Sequence, residues 1–301
     1  MDRGPLPSPA EPGLPHAVLG LRDRPVGVRI RLRRDHPRGA GGRDRRHRPG
    51  AGPGEQQRVK AELTQSVRAL AGGVSAFVPC HNEEGNVEAV VRGLLTTLGA
   101  LGVPFEVVVV DDGSTDRTAE VVRRLAQQDR RVRLVQHPRN IGYGAALRTG
   151  FASARYPWVF FTDGDGQFDP RDFVRLVPHT ASADLVVGYR ARRQDPPHRR
   201  LFGWLWNVLV RLWFGVRVRD VDCAFKLLRR EVVRGLPLRS TGAFVSTELL
   251  CRAAGRGARI VEVPVPHHPR RWGRQSGGRP DVVLRAFWEL WKLRAELRGR
   301  V

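Results

Sequence analysis

Residues 158–167 read WVFFTDGDGQ. An apolar and β-branched run ends abruptly on two aspartates that flank a glycine, and this junction decides the fold. A run so short, closed by a turn, suits a strand buried on both faces of a parallel sheet. Four more stretches share the texture: VSAFVP at 74–79, FEVVVVDD at 105–112, RVRLVQ at 131–136 and DLVVG at 184–188. Helical patterns fill the intervals at 84–98, 115–128, 144–154 and 170–177. Strand alternating with helix at this spacing predicts an α/β fold, a Rossmann-like, mixed and mostly parallel sheet flanked by helices and joined by right-handed crossovers. Ligands of such sheets bind at the carboxyl ends of the strands. Those ends carry Pro79-Cys80-His81-Asn82-Glu83-Glu84, Asp111-Asp112-Gly113-Ser114 and Asp163-Gly164-Asp165-Gly166-Gln167. Three polar clusters therefore converge on one rim.

The rim has a recognisable chemistry. Asp163 and Asp165, two positions apart in a turn, can aim two carboxylates at one point, and the intervening Gly164 allows close approach. Adjacent carboxylates repel unless a cation or proton lies between them. Hard oxygen donors with open positions suit Mg²⁺ or Mn²⁺ shared with substrate phosphates, and Gln167 adds a further oxygen. After the second strand, Ser114 or Thr115 is placed to cap a helix, and an aspartate at that strand tip suits a ribose hydroxyl or base edge. Asn82 is similarly placed to cap a helix, leaving Glu83 to reach a nucleobase.

Composition bounds the alternatives. The 301-residue chain is 41% hydrophobic and 27% charged, with a formal net charge of +22. Residues 1–60 hold 14 Arg and Lys against 6 Asp and Glu, with 9 of the 22 prolines. That Pro/Gly/Arg-rich segment lacks periodicity, so residues 1–70 are expected to be a disordered basic tail. It reads either as a nucleic-acid arm or as a solvated tail or overlong gene start, and no function is placed on it. The remaining excess of positive charge favours anionic partners: nucleic acid, a phospholipid surface or a phosphorylated substrate. Three scattered cysteines, Cys80, Cys223 and Cys251, are too few for a disulfide framework and point to a reducing, cytosolic setting. Neither a secretory signal nor a run of eighteen apolar residues is present.

Six ordered motifs, P-C-H-N-E-E, V-V-D-D-G-S-T-D, R-N-x-G-Y-G-A-A, D-G-D-G-Q-F, D-L-V-V-G-Y-R and D-C-A-F-K-L-L-R-R, resemble the family 2 glycosyltransferases over residues 74–295. Within that family the chain is most similar to the polyprenyl-phosphate, dolichyl-phosphate mannose synthase-like branch. The resemblance implies a GT-A fold over residues 71–301, with a nucleotide-sugar half at about 74–190 and an acceptor half at about 191–301. It assigns Pro79, His81 and Glu83 to the nucleoside, with His81 standing where tyrosine is common. Asp111 and Asp112 fall on the base or ribose; Asp163, Asp165 and Gln167 on the metal. Gly164 replaces a usual alanine, a change expected to leave the site intact. Arg190 closes a D-x-V-x-G-x-R match with Asp184 and Gly188 and is expected to face phosphate, as is Arg199 or Arg200. Asp165, Arg190, Arg200 and Asp222 are the expected catalytic set, with Asp222 or Glu248 as a sugar contact or base. Arg270 lies in HHPRRWGRQSGGRP, which is similar to a basic loop that closes over the donor diphosphate.

The segment RRLFGWLWNVLVRLWFGVRV at 199–218 reads either as an interfacial helix or as a core helix of the acceptor half. Residues 282–297 form a second amphipathic stretch with two tryptophans. The resulting expectation is a metal-dependent, inverting hexosyltransferase, taking GDP-mannose or UDP-glucose as donor and a polyprenyl phosphate as acceptor. It would be cytoplasmic and peripheral on the inner membrane face, with no nucleic-acid partner. The competing readings are a soluble or protein hydroxyl acceptor and an arginine-rich nucleic-acid-binding protein. The acidic rim opposes the latter. A sugar-1-phosphate nucleotidyltransferase would want a glycine-rich basic loop where PCHNEE stands.

Overall fold

The computed structural model describes residues 64–191, 197–270, 272–273 and 280–298. Nearly all of the expected tail, residues 1–63, lies outside them. Residues 64–69, expected in that tail, are instead helical and docked. Leu70 is fully buried, the Ala69 carbonyl accepts from the Trp158 indole at 2.9 Å, and Thr180 donates to the Ser66 carbonyl at 3.0 Å. The folded region thus begins before residue 71, because this turn seals the amino-terminal end of the sheet.

The five expected strands form as β1 (Val74–Cys80), β2 (Phe105–Asp111), β3 (Val132–Gln136), β4 (Trp158–Thr162) and β5 (Leu185–Arg190). Helices α1 (Val87–Gly99), α2 (Thr118–Gln128) and α3 (Tyr143–Ser153) occupy the first three intervals. The fourth, expected as one helix at 170–177, is two 3₁₀ turns, Pro170–Arg175 and Val177–His179. Prolines at the start of each turn remove a donor that a continuous α-helix would use. Beyond β5 come α4 (Pro197–Phe214), β6 (Phe225–Arg229), the short α5 (Arg230–Arg234), α6 (Val245–Gly255), β7 (Ile260–Val265) and α7 (Pro280–Arg298).

The seven strands form one sheet in the order β3-β2-β1-β4-β6-β5-β7. β3, β2, β1 and β4 run parallel, whereas β6 is antiparallel to both β4 and β5. This is the mixed, mostly parallel sheet that the alternating runs predict. β6 and β7 were not foreseen: FKLLR and IVEVPV carry a lysine, a glutamate and a proline inside otherwise apolar runs. The antiparallel direction of β6 puts its entrance, residues 220–224, at the rim where β1 and β4 end.

Packing beneath the rim is dense. Phe77 of β1 stacks on Phe161 of β4 at 5.4 Å, and Phe151 of α3 meets both edge-on at 5.0 and 5.8 Å. Helix α3 lies this close because residue 150 is glycine: a Cβ there would stand 2.3 Å from the Phe77 ring. Alanine is the better helix former by ~1 kcal/mol, yet Gly150→Ala is expected to destabilise the fold by about 1–3 kcal/mol through overpacking. Urea denaturation measures this directly; a variant as stable as the wild type would show that α3 can shift away from β1.

Candidate active site

β1, β2 and β4 each end in polar residues, and the first turn after each is built by side chains from a neighbouring loop. Asn82 adopts a left-handed backbone, φ 58°. Its carboxamide oxygen accepts from Thr115 N at 2.8 Å, and its own N–H donates to the Ser114 hydroxyl at 2.9 Å. Asn82 therefore caps the adjacent loop rather than α1. Asp116, not Ser114 or Thr115, accepts from the first amide of α2, Thr118 N, at 2.9 Å. Pro79 pairs with Val110 inside the sheet, and the exposed His81 ring donates to the Asp112 carbonyl at 2.9 Å.

Asp111 and Asp112, expected at the nucleoside, are engaged by protein groups. The Asp111 carboxylate is fully buried and accepts from Ser114 N at 3.0 Å and Gln136 Nε2 at 2.9 Å. Asp112 accepts from Ile141 N at 3.0 Å and Gly142 N at 2.9 Å, and pairs with His137 Nδ1 at 2.7 Å. Asp112 thus shapes the loop that starts α3. A buried carboxylate must find such donors.

Of the carboxylates expected at the donor site, Asp163, Asp165 and Glu83 are left to the cleft. Asp163 accepts from the Tyr143 hydroxyl at 2.9 Å. Burial and then the charge of Asp165 push its carboxyl up to about 7, against the pull of Tyr143 and Lys226. Asp165 accepts from Gln167 N at 3.0 Å. Glu83 is also raised by burial, opposed by a hydrogen bond from Asn86 and by the charge of Arg270. Arg270 bridges the cluster: its guanidinium pairs with Glu83 and lies 3.6 Å from Asp165. The strand-to-loop segment bearing it is pinned twice to Gln167, by His268 N donating to the Gln167 carbonyl at 2.9 Å and Gln167 Nε2 donating to the His268 carbonyl at 3.2 Å. The Trp272 ring packs against Gly85.

Gly164 has a local reason. A Cβ at that position would stand 2.4 Å from Cys80 Sγ and 3.3 Å from the Pro79 carbonyl. With cysteine at 80, the aspartate turn approaches β1 only through glycine.

Lys226 lies fully buried in β6, donating to the carbonyls of Val221 (3.1 Å) and Cys223, with its ammonium 5.4 Å from the Phe161 ring centre. Burial lowers its proton affinity, and the surrounding anions, Asp163 among them, work to restore it. Lys226 and Tyr143 are site residues that motif reading did not assign, although both stand inside quoted motifs. A lysine in a strand core facing an acidic rim was the available signal for the former.

The acceptor-side expectations fare differently. Arg190, expected to face phosphate, is locked onto Asp220 by two hydrogen bonds at 2.6 and 2.8 Å. Burial works against its charge and the paired carboxylate more than offsets that. Asp184 is held by Arg259 at the far end of β5. Arg200 lines a separate cavity along α4, and the side chain of Arg199 lies outside the described residues. Asp222 is exposed on the rim loop, close enough to act on the charges of Tyr143 and Lys226. Glu248 is buried in α6, accepting from Arg239 N and Ser240 N and pairing with Arg252 at 2.9 Å. It braces a loop rather than serving as a base.

Among the described residues no three His, Cys, Asp or Glu side chains gather as a complete metal site. Two crowded carboxylates countered by one guanidinium nevertheless fit an ion that completes its shell with substrate oxygens and water.

The model of "Glycosyl transferase family 2" matches residues 75–236. The chain belongs to that family. It is 34% identical over 239 residues to glycosyltransferase AglD of Haloferax volcanii, covering 74% of this chain and 38% of that protein. It is 35% identical over 203 residues to the undecaprenyl-phosphate 4-deoxy-4-formamido-L-arabinose transferase of Pseudomonas aeruginosa, 66% of this chain and 59% of that one. The chain thus spans less than two thirds of the length of either relative. In fold it is similar to glucosyl-3-phosphoglycerate synthase from Mycobacterium tuberculosis, crystallised with Mn²⁺, uridine diphosphate and phosphoglyceric acid. The TM-score is 0.63 at 24% identity, over 82% of this chain and 84% of that one. This family 2 chain therefore has the GT-A architecture implied by its motifs.

The raised Asp163 makes stability fall with pH. Folded, the group binds its proton up to about pH 7; unfolded, it releases it near the ordinary 3.8. Between those values the native state holds the extra proton, so raising the pH costs stability. Without divalent ion, thermal melts should show Asp163→Asn stabilising the protein at pH 8 and barely at pH 4. Equal shifts at both would mean that Asp163 is not crowded.

Proposed function

We propose that this family 2 glycosyltransferase moves a sugar from a nucleotide-sugar to a polyprenyl phosphate at a membrane surface, with inversion at the sugar. The observation that carries the reading is the Asp163–Asp165–Glu83 cluster at the carboxyl ends of β1 and β4, bridged by Arg270. On this reading Pro79, His81 and Glu83 border the nucleoside, and Asp163, Asp165 and Gln167 hold Mg²⁺ or Mn²⁺. The ion, when bound, supplies positive charge to the departing diphosphate. Arg270, released from Glu83, offers its planar fork to the same phosphate oxygens. Tyr143 holds Asp163 in place by its hydroxyl, and Asp112 reaches the site only through the 140–142 turn that it builds.

The bond that breaks joins the sugar C1 to the diphosphate oxygen, which leaves with the electron pair. Preorganised positive charge at that oxygen is the main lever on the barrier. A phosphate acceptor is anionic at neutral pH and attacks C1 without a base. The acceptor reading rests on two supports. One is the name of the Pseudomonas relative, which specifies undecaprenyl phosphate. The other is α4 and α7, where Leu201, Phe202, Trp204, Leu205 and Leu212, with Phe287, Trp288 and Trp291, are 48–75% exposed. Trp206 of α4 meets Phe287 of α7 at 5.4 Å, so the two helices present one apolar face. Such a face marks an interaction surface. Among the described residues no helix is long and apolar enough to cross a membrane. Contact in the plane of the interface is therefore the proposed mode.

A hydroxyl acceptor is the second reading. It needs a base, and on that reading the role falls to Asp222, which is exposed on the rim loop.

Transfer from radiolabelled GDP-mannose and UDP-glucose into organic-extractable polyprenyl phosphate, with Mn²⁺, Mg²⁺ or EDTA, tests the proposal. Label should enter the lipid with metal only, and Asp165→Asn should lower the rate by about 10²–10³. Donor turnover without lipid product would move the acceptor to a hydroxyl. A trapped glycosyl-enzyme would refute single displacement. Separately, Arg270→Gln should raise Mn²⁺ affinity of the donor-free protein several-fold, read by electron paramagnetic resonance, since an internal cation no longer competes. Unchanged affinity would mean that Arg270 does not occupy the cation's place.

A further inference from the structure

We infer that a cavity on the outer side of α4 binds the phosphate of anionic phospholipid headgroups and so selects a negatively charged bilayer. This deepens the lipid-surface reading above, on which it rests, by naming the lipid chemistry.

The cavity measures about 380 Å³ and opens to solvent. Arg200, Trp204, Asn207 and Arg211 form one wall, and Val218 and Arg219 face them. The spacing of the first four, about one helical turn each, sets them in a single stripe of α4. Three arginines from two segments thus line one opening, and no carboxylate among the described residues lines it.

The third arginine is held in position. Its guanidinium stacks on Tyr189 at 4.8 Å and donates to the Tyr189 hydroxyl at 3.1 Å. Its amide donates to Glu262 at 2.6 Å, and its carbonyl accepts from Asn207 at 2.6 Å. A guanidinium so fixed loses little entropy on taking a phosphate. Glu262, which accepts the Arg219 amide, stands outside the cavity lining and feels the charges of both Arg219 and Arg211.

The adjoining stripe of α4 supports a lipid over a soluble phosphate. Leu201, Leu205 and Leu212 follow Arg200, Trp204 and Arg211 by one position each and are exposed. That places them about 100° round the helix axis. Headgroup phosphate in the cavity and acyl chain against the leucines is the arrangement of an in-plane amphipathic helix on an anionic leaflet. Lys292, over the Trp288 ring of α7, adds a further cation to the same apolar face.

Co-sedimentation of the full chain with vesicles of phosphatidylcholine alone, or doped with phosphatidylglycerol, tests this. Wild type should bind the doped vesicles only. Arg211→Gln should weaken that binding about fivefold, and Arg211→Gln with Arg219→Gln about thirtyfold. Arg211→Lys should restore most of the single loss, which a folding defect would not allow. Equal binding to both vesicles, or an unaffected double variant, overturns the inference. So does inorganic phosphate binding, seen by calorimetry and lost in the double variant, if vesicles are not bound; the ligand would then be soluble. RNA binding that the variant abolishes, without vesicle binding, has the same force.

Transfer to detergent-dispersed polyprenyl phosphate separates this inference from the function it rests on. The double variant should work at the wild-type rate there, and a loss would make the cavity the acceptor site instead. If wild type itself transfers nothing, the acceptor reading fails while the vesicle result stands on its own.

Discussion

Electrostatic crowding at the rim is the constraint around which this molecule is organised. Asp163, Asp165 and Glu83 stand close enough that their charges oppose one another in a site from which much of the water is excluded. At short range in a protein such repulsion is worth kilocalories, not tenths. Cations and donors therefore surround the cluster. Lys226 lies beneath it, Tyr143 donates from α3, and Arg270 reaches in from the segment after β7. Each comes from a different part of the chain, so the acidic rim cannot be understood from the strands that carry it alone.

The reversed strand β6 is what makes this convergence reachable. A parallel strand in that position would deliver its carboxyl end, Leu228 and Arg229, to the rim. Antiparallel pairing with β4, in which Phe225 faces Thr162, delivers residues 220–224 instead. Asp220 then locks Arg190 at the end of β5, Asp222 reaches the rim, and Lys226 sits one turn of the pleat below it. One change of strand direction supplies both the buried cation and the acceptor-side loop.

Most of the nucleotide half was legible because its physics is local. Apolar runs bounded by turns announce β1 to β5, and acidic turns at strand ends announce a site. What escaped was non-local. Asp111 and Asp112 look like ligand-facing residues in the string VVDDGS, yet amides from 114, 141 and 142 and two side chains claim them. Arg190 looks like a phosphate ligand until Asp220, thirty residues on, is seen beside it. Glu248 is spent on bracing two backbone amides. The strands FKLLR and IVEVPV were hidden by a buried lysine and by a glutamate and proline near a sheet edge, where alternation rather than continuity is the signal. The 3₁₀ turns at 170–179 kept helical composition while their prolines forbade a helix.

Helix α4 shows why the choice between an interfacial and a core helix had no single answer. Its Val210 is fully buried and Trp206 donates to Thr247 of α6, so one side belongs to the core. Its leucines and arginines belong to the surface. Between them, Asn207 holds the Arg219 carbonyl and receives the Val221 amide at 3.2 Å. The loop so held carries Arg219 toward the basic cavity and, one residue later, Asp220 toward Arg190. Opposite charges are thereby kept apart by the backbone itself: the anion-seeking arginine and the carboxylate that locks Arg190 are neighbouring residues of one short loop, and a single asparagine, donating one hydrogen bond and accepting another, holds that loop in place.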